Sequence, residues 1–214
     1  MQIILVLLLA ALPAWGQNPE TVSVLERREI RHETIADPAA RDLRLTLAYL
    51  EGTGWTAEAV LAAANESARI LSQCGVTLTA VELLRVAAPV RYHDFLTPVS
   101  RELAAALQLR KPTVYFVAGT RQRPAFEAEA IGRGNSGSRP ELRDTVWLTR
   151  SARDLGIVLA HELAHVLMDS GEHSQEPDNL MREDTGLENT RISPVQCARI
   201  RDTGSANGLL MPSR

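Results

Sequence analysis

The chain has 214 residues, a formal net charge of -3 and 23% charged residues. That length supports one compact domain with its own core and is short for two. The near-neutral balance excludes an electrostatic hold on nucleic acid or on anionic membrane surfaces.

The chain opens on "MQIILVLLLAALPAWGQ", an apolar run too short to span a bilayer that ends in the small-residue pattern Ala14-Trp15-Gly16. Residues 1–16 therefore read as a signal peptide. This leads to the exterior or to the periplasm and leaves no membrane span in the mature chain. No Lys or Arg precedes the apolar run, which leaves a membrane-tethered N-terminus as the alternative. Residues 17–41 are polar, with apolar residues at wide intervals, and read as a lead-in, a single outlying strand or a pro-segment. Residues 42–214 form the single domain.

Within it, "DLRLTLAYLEG" alternates Leu43, Leu45, Leu47 and Tyr49 against polar or small residues, the period of a strand with one buried face. Thr56 is placed to cap a helix carrying Val60, Leu61, Ala64, Ala68 and Leu71, which stops at Gly75. "GVTLTAVELLRV" is a β-rich run, followed by a short helix ending near Leu109. "PTVYFVAG" is apolar on both faces, as in an interior strand. A short edge strand is expected around residues 125–131, then a Gly/Ser/Pro-rich loop over 132–140, then a strand in "DTVWLTR".

The order predicts an α+β fold, a twisted mixed sheet with helices packed on one side. Ser151 and Asp154 resemble a capping pair at the start of the next helix. From Leu155 to Met168 only His161, Glu162 and His165 are polar, so this helix is an interior one. "SPVQCARIRD" is a closing helix capped by Ser193 with Pro194 in its first turn. In an oxidising compartment Cys74 and Cys197 are candidates for a disulfide. Two free buried thiols are the alternative, and nothing beside either cysteine argues for catalysis.

The chemistry is concentrated in "HELAHVLMDSGEHSQEPDNLM", which holds three of the five histidines. Burying two imidazoles and a carboxylate without partners costs several kcal/mol, and a metal ion satisfies the imidazoles. His161 and His165 are four apart and share a helix face, which suits two imidazoles converging on one zinc. Glu162 lies roughly 100° around the helix, unsuited as a third ligand but able to reach water beside the metal. His173 follows a helix stop at Asp169-Ser170-Gly171, where Gly171 is expected to adopt the left-handed conformation that turns the chain back.

With those residues in place, the chain resembles the metzincin clan of zinc metallopeptidases, whose signature is HExxHxxGxxH followed by a turn containing methionine. The resemblance implies one Zn2+ per chain held by His161, His165 and His173, and Glu162 as catalytic base. It also implies Met181 as the methionine beneath the metal, and a sheet whose antiparallel edge strand flanks the cleft. The activity implied is hydrolysis of peptide bonds in peptide or protein substrates by a zinc-bound water that Glu162 activates.

Two departures stand out: the spacing between the second and third histidines is two residues longer than in the signature, and no tyrosine follows Met181. Two other readings are a thermolysin-like peptidase whose third ligand is Glu183 or Glu188, and a zinc-stabilised binding module without turnover. The first is disfavoured by the weak helical pattern around both glutamates. The second leaves Glu162 unexplained, because a structural zinc site needs no base.

Overall fold

The computed structural model describes residues 21–32, 37–134 and 137–213; the segment read as a signal peptide lies outside them. The elements in chain order are β1 (Ser23–Arg31), β2 (Arg41–Leu50), α1 (Ala57–Leu71), β3 (Val76–Ala87), β4 (Asp94–Phe95), α2 (Thr97–Leu107), β5 (Thr113–Phe116), β6 (Gly119–Thr120), β7 (Ala128–Ile131), β8 (Thr145–Leu148), α3 (Leu155–Met168), α4 (Pro194–Ala206) and β9 (Leu210–Pro212). The main sheet runs β1-β3-β2-β5-β8-β7, with β9 also on β2, and β4 pairs with β6 apart from it.

Strands β3, β2, β5 and β8 are parallel neighbours, whereas β1, β7 and β9 join antiparallel. The sheet is thus mixed, and its antiparallel edge β7 lies where the sequence places it. The segment read as a lead-in or outlying strand supplies β1, which forms the opposite edge against β3.

Strand β2 departs from its predicted one-sided burial. Leu43, Leu45, Leu47 and Tyr49 enter the core under α1, α3 and α4, while Ala48 and Leu50 enter a second core with Leu103 and Ala104 of α2. Helices therefore cover both faces of the sheet rather than one. The alternation in β2 was misleading because its off-face residues are small or polar, and Thr46 is as buried as the leucines. Strands β5 and β8, apolar except for Thr113 and Thr145 at their starts, are fully buried, as two-sided strands require.

Helix α1 is capped as expected, with Thr56 Oγ1 accepting from the Ala59 N–H at 3.2 Å, and the chain leaves its 3-10 extension at Gly75 with φ of +68°. Helix α3 starts differently from the sequence reading. Asp154 is the N-cap in the left-handed region, with no side-chain capping bond, and the Ser151 hydroxyl pairs instead with Thr149 Oγ1 at 2.7 Å. What holds α3 is burial: Leu159, Leu163, Val166 and Leu167 are wholly enclosed, each contributing roughly 1.5–3 kcal/mol. This burial offsets the cost of carrying His161 and His165 into the interior.

Helix α4 has a full capping box between Ser193 and Gln196 and packs against the end of α3. At Gly204 a Cβ would stand 2.9 Å from Leu210 Cδ1 and 3.3 Å from Leu167 Cδ2, so a larger residue would force the packed leucines apart. Cys74 and Cys197 form a disulfide across 123 residues of sequence, pinning α4 to the end of α1.

Replacing both cysteines by serine is expected to lower stability by about 4–5 kcal/mol, the chain-entropy effect of a loop of this length. Denaturant unfolding under oxidising conditions measures it, and a loss below about 1 kcal/mol would show that the crosslink leaves the unfolded ensemble nearly unconstrained.

Candidate metal centre

The middle of α3 places His161 and His165 on one face, and the chain beyond its C-terminus returns His173 to the same point. Among the described residues these three form the group whose ligand atoms all lie within 4.8 Å of one another. His165 Nε2 stands 2.9 Å from His161 Nε2 and 3.3 Å from His173 Nε2. Two nitrogens bound tetrahedrally to one zinc at about 2.0–2.1 Å would be separated by roughly 3.3 Å, so the three rings fit a shared ion. Neither Glu183 nor Glu188 joins the group, although Glu183 lines the adjoining cleft.

Each helical imidazole is aimed by a backbone carbonyl. His161 Nδ1 lies 2.8 Å from the Leu180 oxygen, and His165 Nδ1 lies 2.6 Å from the Ser170 oxygen. A carbonyl only accepts, so each Nδ1 carries the proton and each Nε2 presents its lone pair inward. Burial is the main cause that lowers the His161 pKa to about 4 and shifts His165 downward too; both rings are therefore neutral at neutral pH, the form a metal requires.

The turn after α3 is not built as the sequence suggests. Asp169, with φ of +47°, takes the left-handed position, and Gly171 is not in that region. The asparagine-like tolerance of aspartate for this conformation is reinforced by its side chain, whose Oδ1 accepts the N–H groups of Arg133 at 2.7 Å and Gly134 at 3.3 Å. Asp169 thereby ties the loop after β7 to the end of α3. A Cβ at Gly132 would meet Asp169 Oδ1 at 2.8 Å, so a larger residue there would push the aspartate side chain off its two N–H partners.

Met181 is buried, on a turn in which Asn179 Oδ1 accepts the Met181 N–H at 2.9 Å. The Met181 carbonyl in turn accepts the Ser174 N–H at 2.7 Å, next to His173. The acidic residues around the motif do not orient His161 or His165: Glu172 pairs with Arg199, and Glu176 and Asp178 pair with Arg191. His32 and His93 are half-buried and stand outside the cluster. Sequence reasoning missed the carbonyls of Leu180 and Ser170, which have no side-chain signature, and the tether made by Asp169.

Glu162 is half-buried on the cleft wall. Burial first, then the nearby Glu129 carboxylate, push its pKa up to about 8 in the metal-free chain, against a lowering hydrogen bond from Ala130. The cleft, about 520 Å³, runs between this face of α3 and Ala128, Glu129 and Ala130 of β7. A second lobe of about 760 Å³ continues past Glu162 toward Arg153 and Thr185. Among the described residues strand β7 pairs only with β8, and its other edge faces the cleft.

No family model matches the sequence, and no curated protein matches it. Solved structures do. Metalloproteinase-II from Bacteroides fragilis superposes with a TM-score of 0.55 at 18% identity, over 88% of this chain and 59% of that one. Archaemetzincin from Methanopyrus kandleri superposes with a TM-score of 0.51 at 14% identity, over 77% of this chain and 96% of that one. The fold is that of known metallopeptidases. This chain spans about 59% of the Bacteroides metalloproteinase, and the likeness to both metallopeptidases concerns the fold.

The metal-free chain should show opposed pH dependences. Between the ordinary carboxyl value of 4.5 and about 8, folded Glu162 retains a proton that the unfolded chain has released, so stability falls as pH rises through that window. His161, shifted from 6.5 to about 4, works in reverse: its contribution is present above 6.5 and lost as pH falls toward 4. Glu162→Gln should flatten the high-pH decline in chelator-stripped protein followed by denaturant unfolding. An unchanged slope would mean that the carboxyl titrates normally.

Proposed function

We propose that the protein is an exported zinc-dependent endopeptidase, with one zinc per chain held by His161, His165 and His173. The observation that carries this reading is the convergence of three imidazole nitrogens beside the half-buried Glu162, in a cleft bordered by the outer edge of β7. The shared fold of two metallopeptidases supports it. Export is supported by the disulfide, which persists in oxidising compartments, and by the apolar leader. Among the described residues no helix is long and apolar enough to cross a membrane.

Bound zinc supplies Lewis-acid chemistry, acidifying water and polarising a carbonyl. The chain's own groups do the rest. The Leu180 and Ser170 carbonyls keep the imidazoles in the tautomer that ligates. Positive charge at the imidazoles favours the carboxylate form of Glu162, the form that accepts a proton. Glu162 takes that proton from the attacking water and delivers it to the amine that leaves. With no tyrosine after Met181, Glu162 performs both transfers. An extended peptide adds along β7 by main-chain hydrogen bonds, which holds its carbonyl over the cleft without demanding particular side chains. Met181 closes the site from the core side.

Glu162→Gln is expected to bind zinc as the unaltered chain does and to lose peptide cleavage by about 100-fold or more, read as chelator-sensitive cutting of an unfolded protein mixture. Retained cleavage would remove Glu162 from the mechanism. His173→Ala should weaken zinc binding far more than Glu183→Ala or Glu188→Ala; the reverse order would assign the third ligand to a carboxylate.

A further inference from the structure

We propose that Gln196 on α4 is a positioning residue for the metal, acting through Asn179 and the Leu180 carbonyl on His161; this rests on the metal reading above. Gln196 occupies the third position of α4, where its Oε1 accepts the Ser193 N–H at 2.8 Å as half of the capping box. The same side chain reaches sideways into the metal-bearing segment. Its Oε1 also accepts from Asn179 Nδ2, and its Nε2 donates to Asn179 Oδ1, both at 3.0 Å.

The orientation of each amide is fixed by a group that can only donate. The Ser193 N–H requires an oxygen at Gln196 Oε1, and the Met181 N–H requires an oxygen at Asn179 Oδ1. The pairing is therefore reciprocal and cannot be flipped. Asn179 is buried, so no water replaces a lost partner cheaply.

The consequence falls on the peptide unit between Asn179 and Met181. The Leu180 N–H donates to the Arg191 carbonyl at 2.7 Å, and the next N–H, of Met181, is held by Asn179 Oδ1. With both flanking N–H groups fixed, the Leu180 carbonyl points in one direction, toward His161 Nδ1. Cys197, next to Gln196, anchors α4 through the disulfide. The strut thus runs from the crosslinked helix through two amides to a metal-ligating ring. A capping glutamine with no second task could be exchanged for glutamate, which serves as well at that position.

That exchange is the test. Gln196→Glu keeps the acceptor for Ser193 and for Asn179 Nδ2 but sets a carboxylate oxygen against Asn179 Oδ1. Asn179→Asp keeps the acceptor for Met181 but removes the donor to Gln196. Ser193→Ala removes the hydroxyl half of the box and leaves the amide pair intact. Zinc affinity by competition with a chromophoric chelator, and the visible spectrum of the Co2+-substituted chain, are read for each together with Tm.

Gln196→Glu and Asn179→Asp are expected to bind zinc about 10- to 100-fold more weakly and to shift the Co2+ bands. Ser193→Ala should lower Tm by about 2–4 °C with affinity and spectrum unchanged. If Gln196→Glu does not fold, Asn179→Asp decides alone. Unchanged affinity and spectrum in the amide variants, with zinc bound by the unaltered chain, would overturn the positioning role only. So would a Ser193→Ala variant that loses as much affinity as they do. No zinc uptake by the unaltered chain would overturn the metal reading and this role with it.

Discussion

Two imidazoles buried on one helix face, with a third ring meeting them from the surface, lack enough hydrogen-bond partners unless something sits between them, and burial disfavours protonation of the two on the helix. Everything around His161, His165 and His173 follows from that constraint. Two of the rings have one nitrogen committed to a backbone carbonyl, so the other nitrogen is left as a bare lone pair in the interior. A helix made almost wholly of leucine, valine, alanine and methionine carries two of them, because only a strongly buried element can offset placing such groups below the surface.

The carbonyls have to be delivered to the rings, and the fold uses a different device for each. For His165 it is the left-handed residue Asp169, which ends α3 and leaves the Ser170 oxygen one step further on, while its own side chain captures the loop after β7. For His161 it is the turn at Asn179, Leu180 and Met181, braced against the N-terminus of α4. The longer spacing between the second and third histidines is accommodated here: His173 reaches the other rings over a turn built on aspartate rather than on the glycine of the usual signature. Edge strand β7 and helix α3 are linked through the same aspartate, so the wall of the cleft and the rings at its base are fixed to each other.

Glu162 occupies the one place where this economy is strained. Its carboxyl is enclosed beside another acid, Glu129, and both disfavour its charged form, which positive charge at the imidazoles would favour. A group whose charge state depends on occupancy of the neighbouring site is suited to moving protons.

The sequence by itself determined the strands of the sheet interior, the apolar helix with its paired histidines, the third histidine beyond it, the Ser193 cap of α4 and the pairing candidates Cys74 and Cys197. Each of these rests on periodicity, spacing or residue chemistry within a short stretch, and such signals survive without knowledge of neighbours. Tertiary structure decided the two-sided burial of β2, the placement of α2 on the far face and the left-handed role of Asp169 in place of Gly171. It also decided which carbonyls aim the rings and that Gln196 meets Asn179. These depend on which backbone atoms come together across the fold, and a backbone carbonyl looks the same in every residue's letter. Chemistry carried by side chains could be read along the chain; orientation carried by the main chain had to wait for the fold.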